Sequence, residues 1–404
     1  MNKNLLDFDA ALGRLLDAAQ PLTAIEETPL LEADCRVLAA PLASGLAVPP
    51  LDNSAMDGYA LRCADVLAAG MRLPVTQRIP AGMVGHPLAP GSAARIFTGA
   101  PVPEGADAVV MQERCERDGD DVVINHVPRD GENIRRRGED IRAGAEILAA
   151  GSRLTPQALG LAASIGVPLL PTFRRLRVAL FFTGDELANP GEPLKPGAIY
   201  NSNRYVLRAA LERLGCAVVD LGIVPDTLEA TREALRRAAA VSDLIVTSGG
   251  VSVGEEDHVK PAVEAEGQLG LWKLAIKPGK PLAFGRIVAG DNEADFIGLP
   301  GNPVSSFVTF LMLVRPFILK RQGAADWLPR RIAMTAGFDW PRPDARREFL
   351  RARLGADGRV ELFPHQGSGV LTSTVWAGGL VDNPPGQAIA AGDVVQFIPY
   401  GELL

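Results

Sequence analysis

Ser248-Gly249-Gly250-Val251-Ser252-Val253-Gly254, followed by Glu255-Glu256-Asp257-His258, is the stretch on which the reading of this chain turns. It follows Asp243-Leu244-Ile245-Val246-Thr247, a short apolar, β-branched run that reads as a buried strand. Gly249, Gly250 and Gly254 let the backbone turn sharply and expose consecutive N–H groups. Such a loop at the carboxyl end of a strand is suited to an anion. Ser248 and Ser252 add hydroxyl donors, and Asp257 stands where a carboxylate would face a metal ion. No Gly-Lys-Ser/Thr follows, so this is not a Walker A loop, and the Gly-x-Gly-x-x-Gly spacing is absent. The glycines by themselves fit a tight turn equally well. Their surroundings carry the functional reading.

On both sides the chain alternates strands and helices. Residues 177–182 read as a strand that ends in Thr183-Gly184-Asp185-Glu186. A helix follows, capped by Asn201 or Ser202, with Val206, Leu207, Ala210, Leu211 and Leu214 on one face and Gly215 as its stop. Residues 217–221 make the next strand, and Asp226-Thr227-Leu228-Glu229 resembles a capping box. Further strands are expected at 271–276, 282–286 and 296–299, the last ending in Leu299-Pro300-Gly301-Asn302-Pro303. There Asn302 is placed to cap and Pro303 to start a long helix. This alternation predicts a mainly parallel sheet with helices on both faces. Ligands of such sheets sit beyond the carboxyl ends of the strands, where Asp185, Glu186, Asp226, the glycine loop and the 301–303 turn all fall.

The flanks differ in texture. Residues 1–47 and 143–175 read as one discontinuous helical domain, from the helical spacing of Phe8, Leu12, Leu15 and Leu16 and the helix start at Thr155-Pro156-Gln157. Residues 48–142, with short β runs between Gly and Pro turns, read as a β-rich insert. The α/β pattern occupies 176–328. Residues 329–404 are β again, with a hairpin signal at Ala356-Asp357-Gly358, and predict a small barrel or sandwich.

A net charge of -7 argues against nucleic acid as the main partner. Cys35, Cys63, Cys115 and Cys216 are scattered, which fits reduced thiols in a cytoplasmic protein, and no histidine spacing suggests zinc. The most apolar long stretch, 303–319, is interrupted by Arg315 and Pro316 and reads as a buried helix.

Several segments can hold an oxyanion or a cation. Lys277-Pro278-Gly279-Lys280-Pro281 sets two lysines in a stiff loop, which fits a phosphate grip or a solvated turn. Lys273 alternates with apolar neighbours and fits a strand face. Asp185, Glu186, Asp226 and Asp257 supply the oxygen ligands that magnesium takes beside a phosphate, although Asp226 also fits a helix cap. Asp52-Asn53-Ser54-Ala55-Met56-Asp57-Gly58-Tyr59 and Ile96-Phe97-Thr98-Gly99-Ala100-Pro101 are dense in polar groups and turns. Ile134-Arg135-Arg136-Arg137-Gly138-Glu139-Asp140 is a basic cluster in an acidic chain, an anion grip or a solvated loop. No serine elbow or histidine base stands at a readable spacing. Positioning of a phosphate-bearing ligand and a metal is favoured over covalent catalysis.

Together the stretches 52–59, 97–101, 133–140, 183–187, 248–257, 277–281 and 299–305 resemble the molybdopterin molybdenumtransferase family, the bacterial MoeA type related to the gephyrin E domain. The resemblance covers essentially the whole chain. It implies an elongated, multidomain α/β plus β chain whose 176–328 region binds molybdopterin and whose C-terminal domain is a β-barrel. It implies a cytoplasmic homodimer with composite active sites, inserting molybdate into adenylyl-molybdopterin with magnesium-dependent release of AMP. It carries catalytic weight to Asp57, Thr98, Arg135, Asp140, Glu186, Asp226, Lys273 and Lys277, and metal binding to Glu186 and Asp257. Pterin binding falls to Ser248, Gly249, Gly250, Ser252, Gly254, Gly301, Asn302, Pro303 and, in a loop like the family's serine-bearing one, Ser368. It implies transient contact with the adenylyltransferase and with recipient molybdoenzymes. The alternatives are a catalytically silent molybdopterin-binding scaffold and a molybdopterin adenylyltransferase.

Overall fold

The computed structural model describes residues 5–250 and 258–404. These fold into two compact units. Of the described residues, one comprises 5–40, 150–155, 169–250 and 258–404, and the other 41–149 and 156–168.

The larger unit is built on a six-stranded sheet. Its strands are β1 (Arg177–Thr183), β2 (Ala217–Val224), β3 (Leu244–Ser248), β4 (Gly267–Lys273), β5 (Pro281–Ala289) and β6 (Asn292–Leu299), in the order β2-β1-β3-β6-β5-β4. β1 shows why the sheet is central. Its residues from Val178 to Thr183 are all buried, as expected of a strand covered on both faces. Val178, Leu180 and Phe182 enter one core with Leu207, Leu211 and Phe310, and Ala179 and Phe181 enter another with Leu235 and Val263. That split follows from the two-residue period of a strand. The first core holds helix α1 (Ser202–Arg213) and the second holds α2 (Leu228–Val241) and α3 (Val259–Glu266). Helix α4 (Pro303–Arg321) lies in the first core, and its most apolar window is 89% buried. Its middle, Phe310–Val314, is π-helical. Pro316 has no N–H to offer the Met312 carbonyl, and the regular ladder gives way just before it.

Four strands, β2, β1, β3 and β6, are mutually parallel, and β4-β5-β6 is an antiparallel meander. The short connections explain the change of direction, since a parallel neighbour needs a crossover of a dozen residues or more. The run expected as one strand at 271–276 is divided. β4 ends at Lys273, and Ile276–Lys277 leaves the sheet to pair in parallel with Arg347–Glu348.

The N-terminal region corrects the helical expectation. The helix stops at Ala18, and Ile25–Pro29 is a strand paired antiparallel with Leu169–Phe173. Thr28 and Thr172 share a buried 2.7 Å hydroxyl contact across it. The two sequence-distant stretches do meet, through β pairing rather than helix packing. At the other end, Ile276–Lys277, Arg347–Leu354, Gly379–Asn383, Val394–Pro399 and Ile332–Thr335 form a sheet in that order, with Val360–Leu362 also paired to Arg347–Leu354. An isolated bridge pairs Ala336, just after Ile332–Thr335, with Val360.

The smaller unit holds a second six-stranded sheet, ordered Ala108–Met111, Gly58–Leu61, Ala93–Ile96, Met71–Ile79, Asp121–Ile124, Cys115–Asp118. Its helix Pro156–Ser164 begins at the expected proline.

Candidate active-site cleft

A cleft of about 730 Å³ opens at the carboxyl ends of the parallel strands. β3 ends in Ser248, Gly249 and Gly250, β6 in Pro300, Gly301 and Asn302, and β1 in Thr183 with Glu186 beyond it, and all of these line the cleft. Lys277, Lys280, Arg346 and the loop 366–368 complete the walls. Gly249 has φ +98°, and a Cβ there would stand 3.0 Å from the Thr183 carbonyl. Only glycine allows the loop both that backbone turn and that approach.

Each polar group is placed by an identifiable contact. Asn203, in the first turn of α1, donates to Ser248 Oγ at 2.6 Å and to the Gly301 carbonyl at 2.7 Å. It joins the β3 and β6 loops. The α2 cap is Thr227, whose hydroxyl accepts from Ala230 N. Asp226 is therefore not the cap; its Oδ1 accepts from Thr183 Oγ1 at 2.7 Å. Glu186 folds back over its own turn, so that a Cβ on Gly184 would lie 2.5 Å from Glu186 Oε2. Asn302 occupies the expected N-cap position of α4, but its side chain makes no capping bond and lines the cleft instead. Pro303 takes the first turn as expected.

The cleft wall is cationic. Lys277 Nζ lies 3.2 Å from Glu348 Oε1 and 3.5 Å from Asp344 Oδ2. Arg346 grips Asp344 with two bonds of 2.9 Å. That guanidinium, against the opposing effect of burial, holds the Asp344 carboxyl well below the usual carboxylate range. Lys280 has no carboxylate within 4 Å among the described residues. Behind the wall Arg351 is fully buried and donates to the Gly367 carbonyl at 3.2 Å and to Ser373 Oγ at 3.1 Å. Burial pushes its guanidinium down to about 10. Gln366 donates to the Arg351 carbonyl at 3.0 Å, so this arginine anchors the loop that carries Ser368.

The structure brings Glu186, Ser248, Gly249, Gly250, Lys277, Gly301, Asn302, Pro303 and Ser368 to one cleft. Asp226 reaches it through Thr183. Lys273 ends β4 opposite Pro281, a cleft residue, but does not itself line the cleft. Ser252, Gly254 and Asp257 lie outside the described residues. Asp57, Thr98, Arg135 and Asp140 belong to the smaller unit. There Asp57 Oδ1 accepts from Thr98 N at 2.8 Å and from Thr98 Oγ1 at 2.7 Å. The Thr98 N–H and hydroxyl hold the Asp57 carboxyl below its ordinary value. Of the basic cluster, Arg136 pairs with Asp52, whereas Arg135 is exposed with no carboxylate within 4 Å among the described residues.

Asn203 and Arg346 are cleft residues that the sequence reading did not single out, whereas Lys280 and Thr183 stand in stretches it named. Asn203 follows the Asn201 helix cap by two residues. Nothing local marks Arg346. Among the described residues no cysteine lines the cleft, and burial pushes Cys216 up to about 12 while burial with Asp107 pushes Cys63 up to about 12.

The sequence matches three family descriptions: "MoeA N-terminal region (domain I and II)" over residues 6–166, "Probable molybdopterin binding domain" over 179–320, and "MoeA C-terminal region (domain IV)" over 333–400. The molybdopterin molybdenumtransferase of Haemophilus influenzae is 40% identical across 99% of this chain and all of its own length. Molybdopterin molybdenumtransferase 2 of Mycobacterium tuberculosis is 39% identical across 98% of both. The crystal structure of the molybdopterin biosynthesis moeA protein from Pyrococcus horikoshii superposes with a TM-score of 0.82 at 28% identity, covering 98% of this chain and 100% of that one. The cleft thus lies within the segment that matches a molybdopterin-binding domain and extends into the C-terminal one, and the chain belongs to the molybdopterin molybdenumtransferase family.

Proposed function

We propose that this chain inserts molybdenum into molybdopterin, taking molybdate and adenylyl-molybdopterin and releasing AMP. The observation that carries this reading is the cleft itself. A glycine loop at the parallel strand ends faces Lys277, Lys280 and Arg346, with one carboxylate, Glu186, at its side. Both substrates are oxyanions, and such a wall binds them by N–H groups and cations. Cleaving a phosphoanhydride asks for positioning and for charge stabilisation, without a covalent link to the protein.

The donor set fits magnesium. Glu186 in the cleft and Asp226 at the Thr183 strand end are hard oxygen donors, and magnesium is usually held by one or two carboxylates plus phosphate and water. Glu186, with Asp257 from outside the described residues, would hold it. Bound there, it would neutralise charge on the phosphate oxygens. Lys277, Lys280 and Arg346 bind and orient the oxyanions, and the 248–250 loop with Ser368 seats the pterin phosphate. Lys273, next to the cleft wall, supports the same field.

The reading extends to a cytoplasmic homodimer, which meets the adenylyltransferase and recipient molybdoenzymes transiently. We divide the two units into four domains, at 1–47 with 143–175, 48–142, 176–328 and 329–404. The last reads as a small barrel, supported by the Ala336–Val360 bridge.

The test is AMP release from adenylyl-molybdopterin on addition of molybdate. Release that saturates with molybdate is expected. ATP consumption with molybdopterin would indicate an adenylyltransferase, and pterin binding without turnover would indicate a scaffold.

A further inference from the structure

Lys277 and Glu348 face each other across a register that joins two sheets. Ile276–Lys277 leaves the α/β sheet and pairs in parallel with Arg347–Glu348, which sets Lys277 directly against Glu348. Glu348 is fully buried. Its Oε2 accepts from Trp340 Nε1 at 2.8 Å and from Asn383 Nδ2 at 3.3 Å, and its Oε1 from Lys277 Nζ at 3.2 Å. The carboxylate is fixed on both oxygens, and of its three hydrogen-bond partners Lys277 is the one that lines the cleft.

A carboxylate taken wholly out of water is a liability unless it is paired and hydrogen-bonded. A neutral side chain of similar size would serve packing at this place without that liability. Charge at position 348 therefore calls for another explanation, and the lysine supplies it. A lysine stem has four rotatable carbons and loses rotamer freedom only when something holds its end. Lys277 stays 36% exposed beside the cleft, and its ammonium carries three donors. Glu348 takes one, Asp344 stands 3.5 Å from the group, and the remaining capacity faces the cleft. Lys280 lines the same wall with no such anchor among the described residues.

We propose that Glu348 is a positioning residue for the oxyanion grip: from inside the C-terminal sheet it fixes the Lys277 ammonium on the cleft wall. The proposal rests on the reading that Lys277 engages molybdate during AMP release.

The experiment measures molybdate KM and kcat for AMP release in full-length wild type, Glu348→Gln, Glu348→Asp, Lys277→Ala and the Glu348→Gln/Lys277→Ala double variant, with a melting temperature for each. Glu348→Gln keeps an acceptor for Trp340 and removes the charge. Its molybdate KM should rise about tenfold, the equivalent of roughly one charge-assisted hydrogen bond, with kcat changed less. Glu348→Asp, which keeps the charge but draws it back, should lie between. The double variant should be no worse in KM than Lys277→Ala alone. A merely structural Glu348 would lower the melting temperature and leave KM unmoved, and that result overturns the proposal. Effects of the two single changes that multiply in the double variant also overturn it. If Glu348→Gln does not fold, Glu348→Asp decides: unchanged KM counts against the proposal and raised KM supports it. A wild type without molybdate-saturable AMP release, or a Lys277→Ala with unchanged KM, overturns the reading beneath it and this assignment with it. A raised KM in Lys277→Ala beside an unchanged one in Glu348→Gln overturns this assignment alone.

Discussion

The side-chain amide of Asn203 stands 2.6 Å from Ser248 Oγ and so pins the end of β3 to the first turn of α1. The same nitrogen donates to the Gly301 carbonyl at 2.7 Å, and Ser248 Oγ in turn donates to the Pro300 carbonyl at 3.3 Å. One amide thus joins the two loops that floor the cleft. Asn203→Ala leaves both acceptors without it. A cost of about 1–3 kcal/mol in stability is expected from the lost bonds. The loss in kcat/KM for AMP release should be on the order of tenfold or more, because loop placement and not only stability is disturbed. Thermal melts and steady-state kinetics check this. Kinetics that track the melting temperature alone would reduce Asn203 to a stabilising contact.

Glu186→Gln tests the metal assignment. The substitution keeps the size of the side chain and removes a hard anionic donor from the cleft. AMP release should fall by the several kcal/mol typical of metal-assisted charge stabilisation, and raised magnesium should restore part of it. Asp226→Asn should act in the same direction. A magnesium titration curve identical to wild type in both variants would remove these carboxylates from the metal site.

Local chemistry makes some of this legible in the sequence alone. The buried run from Leu244 to Ser248, the glycines after it and Pro303 at a helix start are all decided by neighbours in sequence. The hairpin at Gly358, with φ +78°, follows from its turn residues in the same way. Other features depend on distant partners. Ile25–Pro29 carries no alternating pattern, and it becomes a strand because Leu169–Phe173 offers it an edge. Lys277 and Glu348 are 71 residues apart, and neither neighbourhood points to the other. Asn302 looked like a cap from composition, yet its side chain is left to the cleft. Thr183 takes Asp226 as its partner, a pairing that depends on which strands are adjacent. Sequence spacing therefore located the strand ends and their common edge, and only the sheet pairing showed that Arg346 and the 366–368 loop join them at the cleft.

Asp344 gives the stability a predictable acid limb. Arg346 holds its carboxyl far below the ordinary 3.8, with burial opposing and Lys277 assisting. A depressed folded-state value means the contribution is fully present above the unfolded value near 3.8 and is lost as pH falls through the folded one. Wild type should show no Asp344-dependent change between about pH 7 and pH 5. Below about pH 4 its denaturation midpoint should fall more steeply than that of Asp344→Asn, which has no proton to take up. Parallel acid limbs in the two proteins would contradict the assignment.

The chemistry-bearing side chains divide between the two compact units, and this division motivates the last prediction. Glu186, Asp226, Lys277 and the glycine loop belong to the larger unit, and Asp57, Thr98, Arg135 and Asp140 to the smaller. Asp57 is tied to Thr98 by both its N–H and its hydroxyl, a geometry that keeps a carboxylate ionised and aimed. We propose that each active site draws its two groups from different chains of a two-fold dimer, in which the same pair of surfaces meets twice. Asp57→Asn and Glu186→Gln should each be inactive alone. Co-expressed, they should form mixed dimers in which one site carries both lesions and the other carries none. Random pairing should then restore about a quarter of wild-type activity, since half of the dimers are mixed and half of their sites are intact. A site built within one chain would carry one lesion everywhere, and activity would stay absent. Native mass measurement establishes that the mixed dimers are present. Absence of activity in confirmed mixed dimers would overturn the two-chain site and return both groups to a single chain.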